Sequence, residues 1–283
     1  MALDRGIVGV EQGPWTRTWS SDDALIYALG VGAGQLDPTK ELAFTTEYAH
    51  GVTQRVLPTY AIALGQFGGP PLKLGDVDYT QLLHAEQTLT VHRPLPVAGT
   101  IELRRVITDV YDKGKGALVV TETTGSDPAD GQPLFATRSS VFIRGEGGFG
   151  GDRGPSVDFA VPDRAPDATL RFPTALNQAL IYRLSGDRNP LHADPAFAAA
   201  GGFERPILHG LATYGITVRL LLGEFADGDP DQLATVDGRF TKPVLPGEEL
   251  VVSAWRDGDS VLFRTANGAG DIVLDRGRLG LTG

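Results

Sequence analysis

The chain contains no cysteine, which rules out disulfides, thiolate metal centres and thiol nucleophiles. It also lacks net positive charge: 25 Lys and Arg stand against 35 Asp and Glu, a formal charge of −10 over 283 residues. That argues against a nucleic-acid binder, which would present a basic face. A phosphate-bearing ligand remains compatible, because a few local Lys or Arg are enough to hold one. Long hydrophobic runs are missing as well. The longest apolar segment, 207–222, is interrupted by His209 and Arg219 and is short for a membrane span. Residues 1–15 carry Asp4 and Glu11 and have no apolar stretch of the signal-peptide kind. Leu281-Thr282-Gly283 is not a peroxisomal address. These absences lead us to expect a soluble cytoplasmic protein that binds neither nucleic acid nor membrane.

Several catalytic and metal-binding patterns fail in the same way. Ser185 has no base set to activate it and lies outside a G-x-S-x-G elbow. Asp227, Asp229 and Asp231 resemble the start of a calcium loop, but Pro230 intervenes and position 238 is Gly where a Glu ligand is needed. The five histidines form no H-x-x-x-H pair, so no metal site is expected. Gly145-Glu146-Gly147-Gly148-Phe149-Gly150 matches G-x-G-x-x-G in letters. No helix signal follows it, so the segment reads as a linker over 145–160 and not as a dinucleotide site.

What is present is a duplication. Ala24-Leu25-Ile26-Tyr27-Ala28-Leu29 recurs as Ala179-Leu180-Ile181-Tyr182-Arg183-Leu184, Thr59-Tyr60 as Thr213-Tyr214, and His92-Arg93-Pro94 is echoed by Thr241-Lys242-Pro243. With 41 % hydrophobic residues, the chain can bury one large core or two modest ones. Each half runs in the same order. A short amphipathic helix comes first, capped by Ser20 or Ser21 in one copy and Thr174 in the other. A longer apolar helix follows, at 57–67 and 210–225. Alternating segments come last, at 87–91, 100–111, 117–124 and 136–144, then 235–241, 248–256, 260–266 and 272–281, and these read as antiparallel strands. The expected class is α+β, with one central helix wrapped by a curved antiparallel sheet, twice over. The units are 1–144 and 161–283.

The two copies differ where chemistry could sit. Asp187 falls opposite Gly32, Asn189 opposite Gly34 and His192 opposite Asp37. Gly186 ends the preceding helix and Pro190 prevents its resumption, so the three side chains share a short irregular segment. An acid and an imidazole converging on one water form a general acid/base pair, and Asn189 can hold it in register. Turn capping by Asp187 and Asn189 is the plainer account of those residues; the sharp difference between copies favours the chemical one. Gly210, after His209 at the start of an apolar helix, offers an unobstructed N–H where the helix dipole adds positive charge, a sound place for an oxyanion.

The run Tyr182-Arg183-Leu184-Ser185-Gly186-Asp187-Arg188-Asn189-Pro190-Leu191-His192-Ala193-Asp194-Pro195 resembles the signature of the (R)-specific 2-enoyl-CoA hydratases. Across nearly its whole length the chain is similar to the long hydratase 2 type of the MaoC-like family. Leu83-His84-Ala85-Glu86-Gln87, Asp112-Lys113-Gly114, Gly147-Gly148-Phe149-Gly150-Gly151 and Pro206-Ile207-Leu208-His209-Gly210-Leu211 carry the likeness further. The resemblance implies a double hotdog fold, with the first half degenerate and opened to admit a bulky acyl chain. It implies that Asp187 and His192 hold a catalytic water, Asn189 orients them and the Gly210 N–H stabilises the thioester enolate. It places acyl and CoA contacts at His84, Ala85, Lys113, Arg188, Pro190, Leu191 and Phe240. Ala85 stands where relatives have Gly. The substrate would be an acyl-CoA, no further cofactor is implied, and a homodimer is expected. Two other readings stay open at this point: dehydration of (3R)-hydroxyacyl groups on an acyl carrier protein, and a non-catalytic acyl-thioester binding subunit. A basic rim at the pocket mouth would favour the carrier protein, and a pocket fitting adenine would favour CoA.

Overall fold

A computed structural model describes residues 2–156 and 158–282. Ten strands form one continuous antiparallel sheet. In the first half these are β2 (Glu11–Trp19), β4 (Leu82–Val91), β5 (Gly99–Asp112), β6 (Gly116–Ser126) and β7 (Pro133–Arg144). The second half contributes β8 (Ala168–Pro173), β9 (Leu233–Phe240), β10 (Glu249–Asp257), β11 (Ser260–Asn267) and β12 (Ile272–Leu281). The order β2-β5-β6-β7-β4-β9-β12-β11-β10-β8 reads the same from either end once the halves are matched. The halves meet where β4 pairs with β9, from Glu86 opposite Arg239 to Thr90 opposite Thr235. Thr88 donates to Asp237 across this seam at 2.7 Å. Two short strands, β1 (Ala2–Leu3) and β3 (Gly75–Asp76), pair separately.

All eight strands expected from alternation are present. The outermost strands, β2 and β8, were not anticipated. Each has a single neighbour and a largely exposed pattern, so little burial reaches the sequence as a signal.

The helices are α1 (Ser21–Gly30), α2 (Leu42–Thr45), α3 (Tyr60–Gln66), α4 (Gln178–Tyr182), α5 (Pro195–Ala200) and α6 (Gly210–Phe225). Ser20 and Asp23 cap each other's backbone N–H groups at the start of α1, a capping box. Thr174, expected to cap α4, does not. Its hydroxyl donates to the Glu248 carbonyl at 2.8 Å and accepts from Gly247 N–H at 2.9 Å, so it ties the turn to β10; Asn177 stands at the helix start. The duplicated motifs α1 and α4 pack on each other. Tyr27 and Tyr182 are buried with ring centroids 6.0 Å apart, and Gln178 donates to the Gly30 carbonyl at 2.7 Å. Around them one apolar core spans both halves.

The central helices are unequal: α6 has 16 residues and α3 has 7. At 1.5 Å per residue α3 is shorter by roughly 14 Å, and beyond its end the α3-facing side of β6 and β7 is packed by a second apolar core that includes Leu3, Leu74 and Val77.

The glycine-rich segment expected as a linker is folded in its first part. Asp112 accepts N–H bonds from Gly114 and Gly148 at 2.8 Å and from Gly150 at 2.7 Å, and Phe149 packs against a small second core. These donors hold the Asp112 carboxyl at about 2, below its ordinary 3.8. A depressed carboxyl contributes stability above its unfolded pKa and loses it as pH falls through the folded one. The Tm gap between the protein and Asp112→Asn is therefore expected to be full above pH 4 and to close as pH drops toward 2. A gap independent of pH in scanning calorimetry would contradict this account.

Candidate active site

The segment after α4 is aimed by its glycine. Gly186 takes φ 131°, and a Cβ there would meet Phe67 Cβ at 2.9 Å. The loop can therefore lie directly against the end of α3. Two side-chain turns follow: Asp187 Oδ1 accepts from Asn189 N–H at 3.2 Å, and Asn189 Oδ1 accepts from Leu191 N–H at 3.0 Å. The turn-capping role and the chemical role thus fall on the same residues. His192 ends the short 3-10 turn Pro190–His192 and is buried. Its Nδ1 lies 2.9 Å from the Ile207 carbonyl. Because a carbonyl only accepts, we assign the ring proton to Nδ1, which leaves Nε2 as a free base.

A third ring completes the cluster. His209 stacks on His192 at a centroid distance of 3.8 Å and an interplanar angle of 29°. Tyr182 lies tilted on His209 at 4.9 Å. His209 Nε2 donates to the Asp187 carbonyl at 3.3 Å, steadying the loop from below. The sequence drew attention to His209 only as the neighbour of Gly210. Titratable atoms of Asp187, His192 and His209 lie within 4.8 Å of one another, close enough to invite a cation. Imidazole lone pairs lie in the ring plane, so two nearly parallel stacked rings aim them side by side and not at one tetrahedral centre. The arrangement suits proton transfer better.

Burial decides the charge states. It raises the Asp187 pKa above the usual carboxylate value, with His192 and the Asn189 N–H pulling the other way. It lowers His192, against the pull of Asp187. His209 is driven down to about 2 by burial and then by His192, and burial takes His84 to about 4. Burial thus favours the uncharged form of each of these groups, Asp187 included.

Asp187, Asn189, Leu191, His192 and Gly210 line a cavity of about 850 Å³, in the upper part of the range for small-molecule sites. Gly210 is the first residue of α6, and its N–H meets no protein acceptor among the described residues. The opposite wall comes from the first half. His84 and Ala85 sit where β4 gains one residue relative to β7, a bulge at Ala85. His84 packs on Phe240 at 4.8 Å, and Phe240 in turn touches Gly210, where a Cβ would approach its ring to 3.2 Å. Leu118, Val120 and Phe142 of β6 and β7 continue the lining. Lys113 also lines it, its ammonium donating to the Arg153 carbonyl. Arg188 and Pro190 are exposed and lie outside the lining.

Six cations line this cavity, Lys113, Arg138, Arg144, Arg239, Lys242 and Arg276, against only Glu86 and Asp187. The sequence singled out Lys113 alone; the others come from separate strands and turns that only the sheet brings together. The counterpart loop in the first half is plugged. A side chain on Gly32, opposite Asp187 in the duplication, would strike the Phe172 ring at 2.3 Å. Buried Arg219 lies over that ring, donates to the Val31 carbonyl at 2.9 Å and pairs with Glu41 at 2.6 Å.

Comparison with known proteins gives matches along the chain. Residues 18–145 match the MFE-2 hydratase 2 N-terminal domain, and residues 158–276 the MaoC like domain. The chain is 45 % identical to 3-hydroxyacyl-thioester dehydratase Y of Mycobacterium tuberculosis, covering 98 % of each. It is 42 % identical to enoyl-CoA hydratase ChsH3 of the same organism, covering 91 % of each. A crystal structure of a MaoC-like dehydratase from Phytophthora capsici superposes with a TM-score of 0.88 at 32 % identity, covering 100 % of this chain and 98 % of that one.

Given their burial, neither His84 nor His209 should gain a proton between pH 8 and pH 5. Imidazole resonances followed by NMR through that range should stay fixed for both, and a titration of either inside it would refute the charge assignment.

Proposed function

The chain belongs to the MaoC-like family, of the MFE-2 hydratase 2 type, and from that premise we propose that it adds water reversibly to trans-2-enoyl-CoA, giving (3R)-3-hydroxyacyl-CoA in the β-oxidation of a fatty or steroid side chain. One observation carries the reading. The Asp187–His192 pair and the unpartnered Gly210 N–H face the same cavity, and that cavity runs on over apolar first-half strands.

Hydration of a conjugated thioester needs a positioned water and a donor at the developing oxyanion. Asp187 and the free Nε2 of His192 hold the water and take its proton as its oxygen bonds to C3. The C2–C3 π pair shifts toward the thioester carbonyl, whose oxygen gains charge and is met by the Gly210 N–H. The same pair returns a proton to C2, so the hydroxyl at C3 and the hydrogen at C2 arrive on one face. Asn189 keeps the Asp187 turn in register. His209 stays neutral and supports His192 by stacking. Leu118, Val120 and Phe142 offer apolar walls to the acyl chain, and the space fits a long or bulky one.

Dehydration on an acyl carrier protein is the second reading, and the basic mouth of the cavity favours it. CoA carries phosphates of its own, so charge alone suits both carriers. Turnover of crotonyl-CoA against crotonyl-carrier protein separates them: a preference for the carrier protein would replace the first reading with the second.

Loss of enoyl absorbance with crotonyl-, decenoyl- and steroid-enoyl-CoA, followed by chiral analysis, tests the reaction itself. The (3R)-alcohol is expected; an (S) product or no turnover would sink the proposal. Asp187→Asn and His192→Gln should each lower kcat by about 10²–10⁴. In the unaltered protein kcat should fall on acidification through the raised pKa of Asp187, and a flat profile from pH 5 to 9 would count against Asp187 as base. Gly210→Pro removes the N–H at a helix position that tolerates proline, while Gly210→Ala adds a Cβ and keeps the donor. The proline variant should lose about 10²–10³ in kcat relative to the alanine variant; equal rates would remove the oxyanion role.

A further inference from the structure

The cations of the cavity mouth are not equivalent. Arg138 lies near Asp109 and Glu122, Lys242 pairs with Asp271, and Lys113 is bonded to the Arg153 carbonyl. The side chains of Arg144, Arg239 and Arg276 have neither a hydrogen bond nor an ion pair among the described residues. Asp275 stands opposite Arg239 in the register and next to Arg276 in sequence, but its carboxylate is held by Arg264 at 2.6 Å. The two arginines are thus left with free guanidinium groups on adjacent strands of one cavity.

Arg276 also occupies an unusual backbone position. Between Asp275 and Arg278, β12 carries one residue more than β9, and the same extra residue disturbs its pairing with β11. At this bulge Arg276 takes φ 55°, a left-handed conformation that glycine adopts freely and a long side chain does not. Glycine does occur at the bulge, one residue later and for another reason: a Cβ on Gly277 would strike the Phe263 ring at 2.3 Å. Of the other non-glycine residues with positive φ, Glu41 uses its carboxylate on Arg219, and Asp227 is of a type that tolerates the conformation. Arg276 has no such local account. Nor does the duplication explain it, since β7, the counterpart of β12, pairs with β6 in continuous register from Gly116 to Gly125. A strained residue with a free charged group at a cavity points to a ligand, and a bulge is a known way to re-aim a side chain.

We infer that the bulge in β12 exists to present Arg276, beside Arg239, to a phosphate group of the substrate's carrier, making these two arginines the residues that recognise a phosphorylated thioester. The inference rests on the thioester reading above and adds its anion-recognition site. Two guanidinium groups suit a phosphate because each offers a planar fork of donors. The phosphate next to pantetheine is common to CoA and to a carrier-protein prosthetic group, and CoA alone adds a nucleotide.

Calorimetric titration with CoA, 4′-phosphopantetheine and pantetheine tests this without turnover. Pantetheine, which has no phosphate, sets the baseline. The unaltered protein should bind CoA more tightly than pantetheine, and Arg276→Gly should weaken CoA about tenfold while sparing the pantetheine baseline. Arg239→Gln should act in the same direction. A parallel loss with 4′-phosphopantetheine would assign the shared phosphate, and a loss with CoA alone would assign the nucleotide phosphates. The glycine variant should also keep or raise Tm, because it relieves the left-handed φ; weaker binding in a protein that is no less stable separates recognition from damage. Equal CoA affinity with and without Arg276, or an equal loss for pantetheine, would overturn the inference. CoA binding without hydration would defeat the hydratase reading and leave this one standing.

Discussion

The pairing of β4 with β9 is the constraint from which the rest of the molecule follows. Five strands on each side present opposite edges at this seam, and their antiparallel register from Glu86–Arg239 to Thr90–Thr235 turns two sheets into one. An exposed edge on either half would leave a row of unpaired backbone groups. Joining them satisfies those groups and brings the second-half loop against first-half strands. The cavity therefore takes Asp187, His192 and the Gly210 N–H from one repeat, and His84, Ala85 and much of its apolar wall from the other. Neither half alone would hold a complete site.

The duplication predicts two such sites, and packing has removed one. In the first half, Phe172 fills the space that a side chain at position 32 would need, and the ion pair of buried Arg219 with half-buried Glu41 closes the loop around it. Removing Glu41 would strand the buried guanidinium, so the pair holds the plugged loop in one arrangement. The central helix of that half is also the shorter one, 7 residues against 16.

Electrostatics follow a similar division. The molecule as a whole is acidic, yet the cavity lining is strongly basic. Like charges spread over the outer surface discourage non-specific anion binding, while a local cluster in a recess concentrates field where a phosphorylated carrier would lie. Deeper in, desolvation shifts Asp187 and His192 in opposite senses, favouring protonated Asp187 and neutral His192. Their mutual attraction offsets part of that, and a pair poised between the two states is suited to passing one proton back and forth.

Much of this was legible in the sequence. Period-2 alternation marked the eight inner strands, because each buries one face. The apolar run 210–225 marked α6 to the residue, and the unequal copies marked Asp187, Asn189 and His192 through what the other copy lacks. The double hotdog came with the resemblance carried by those motifs, and Gly210 was marked by its place at the start of an apolar helix. Other features could only come from the folded chain. The edge strands β2 and β8 bury too little to leave a pattern, Thr174 was drawn away from its helix by Glu248 and Gly247, and the glycine-rich segment gained its order from a carboxylate at Asp112. His209, Arg239 and Arg276 are unremarkable in sequence. Their meaning depends on ring stacking, on a one-residue slip in register and on a cavity shared by distant strands, and those are relations between residues that local sequence does not encode.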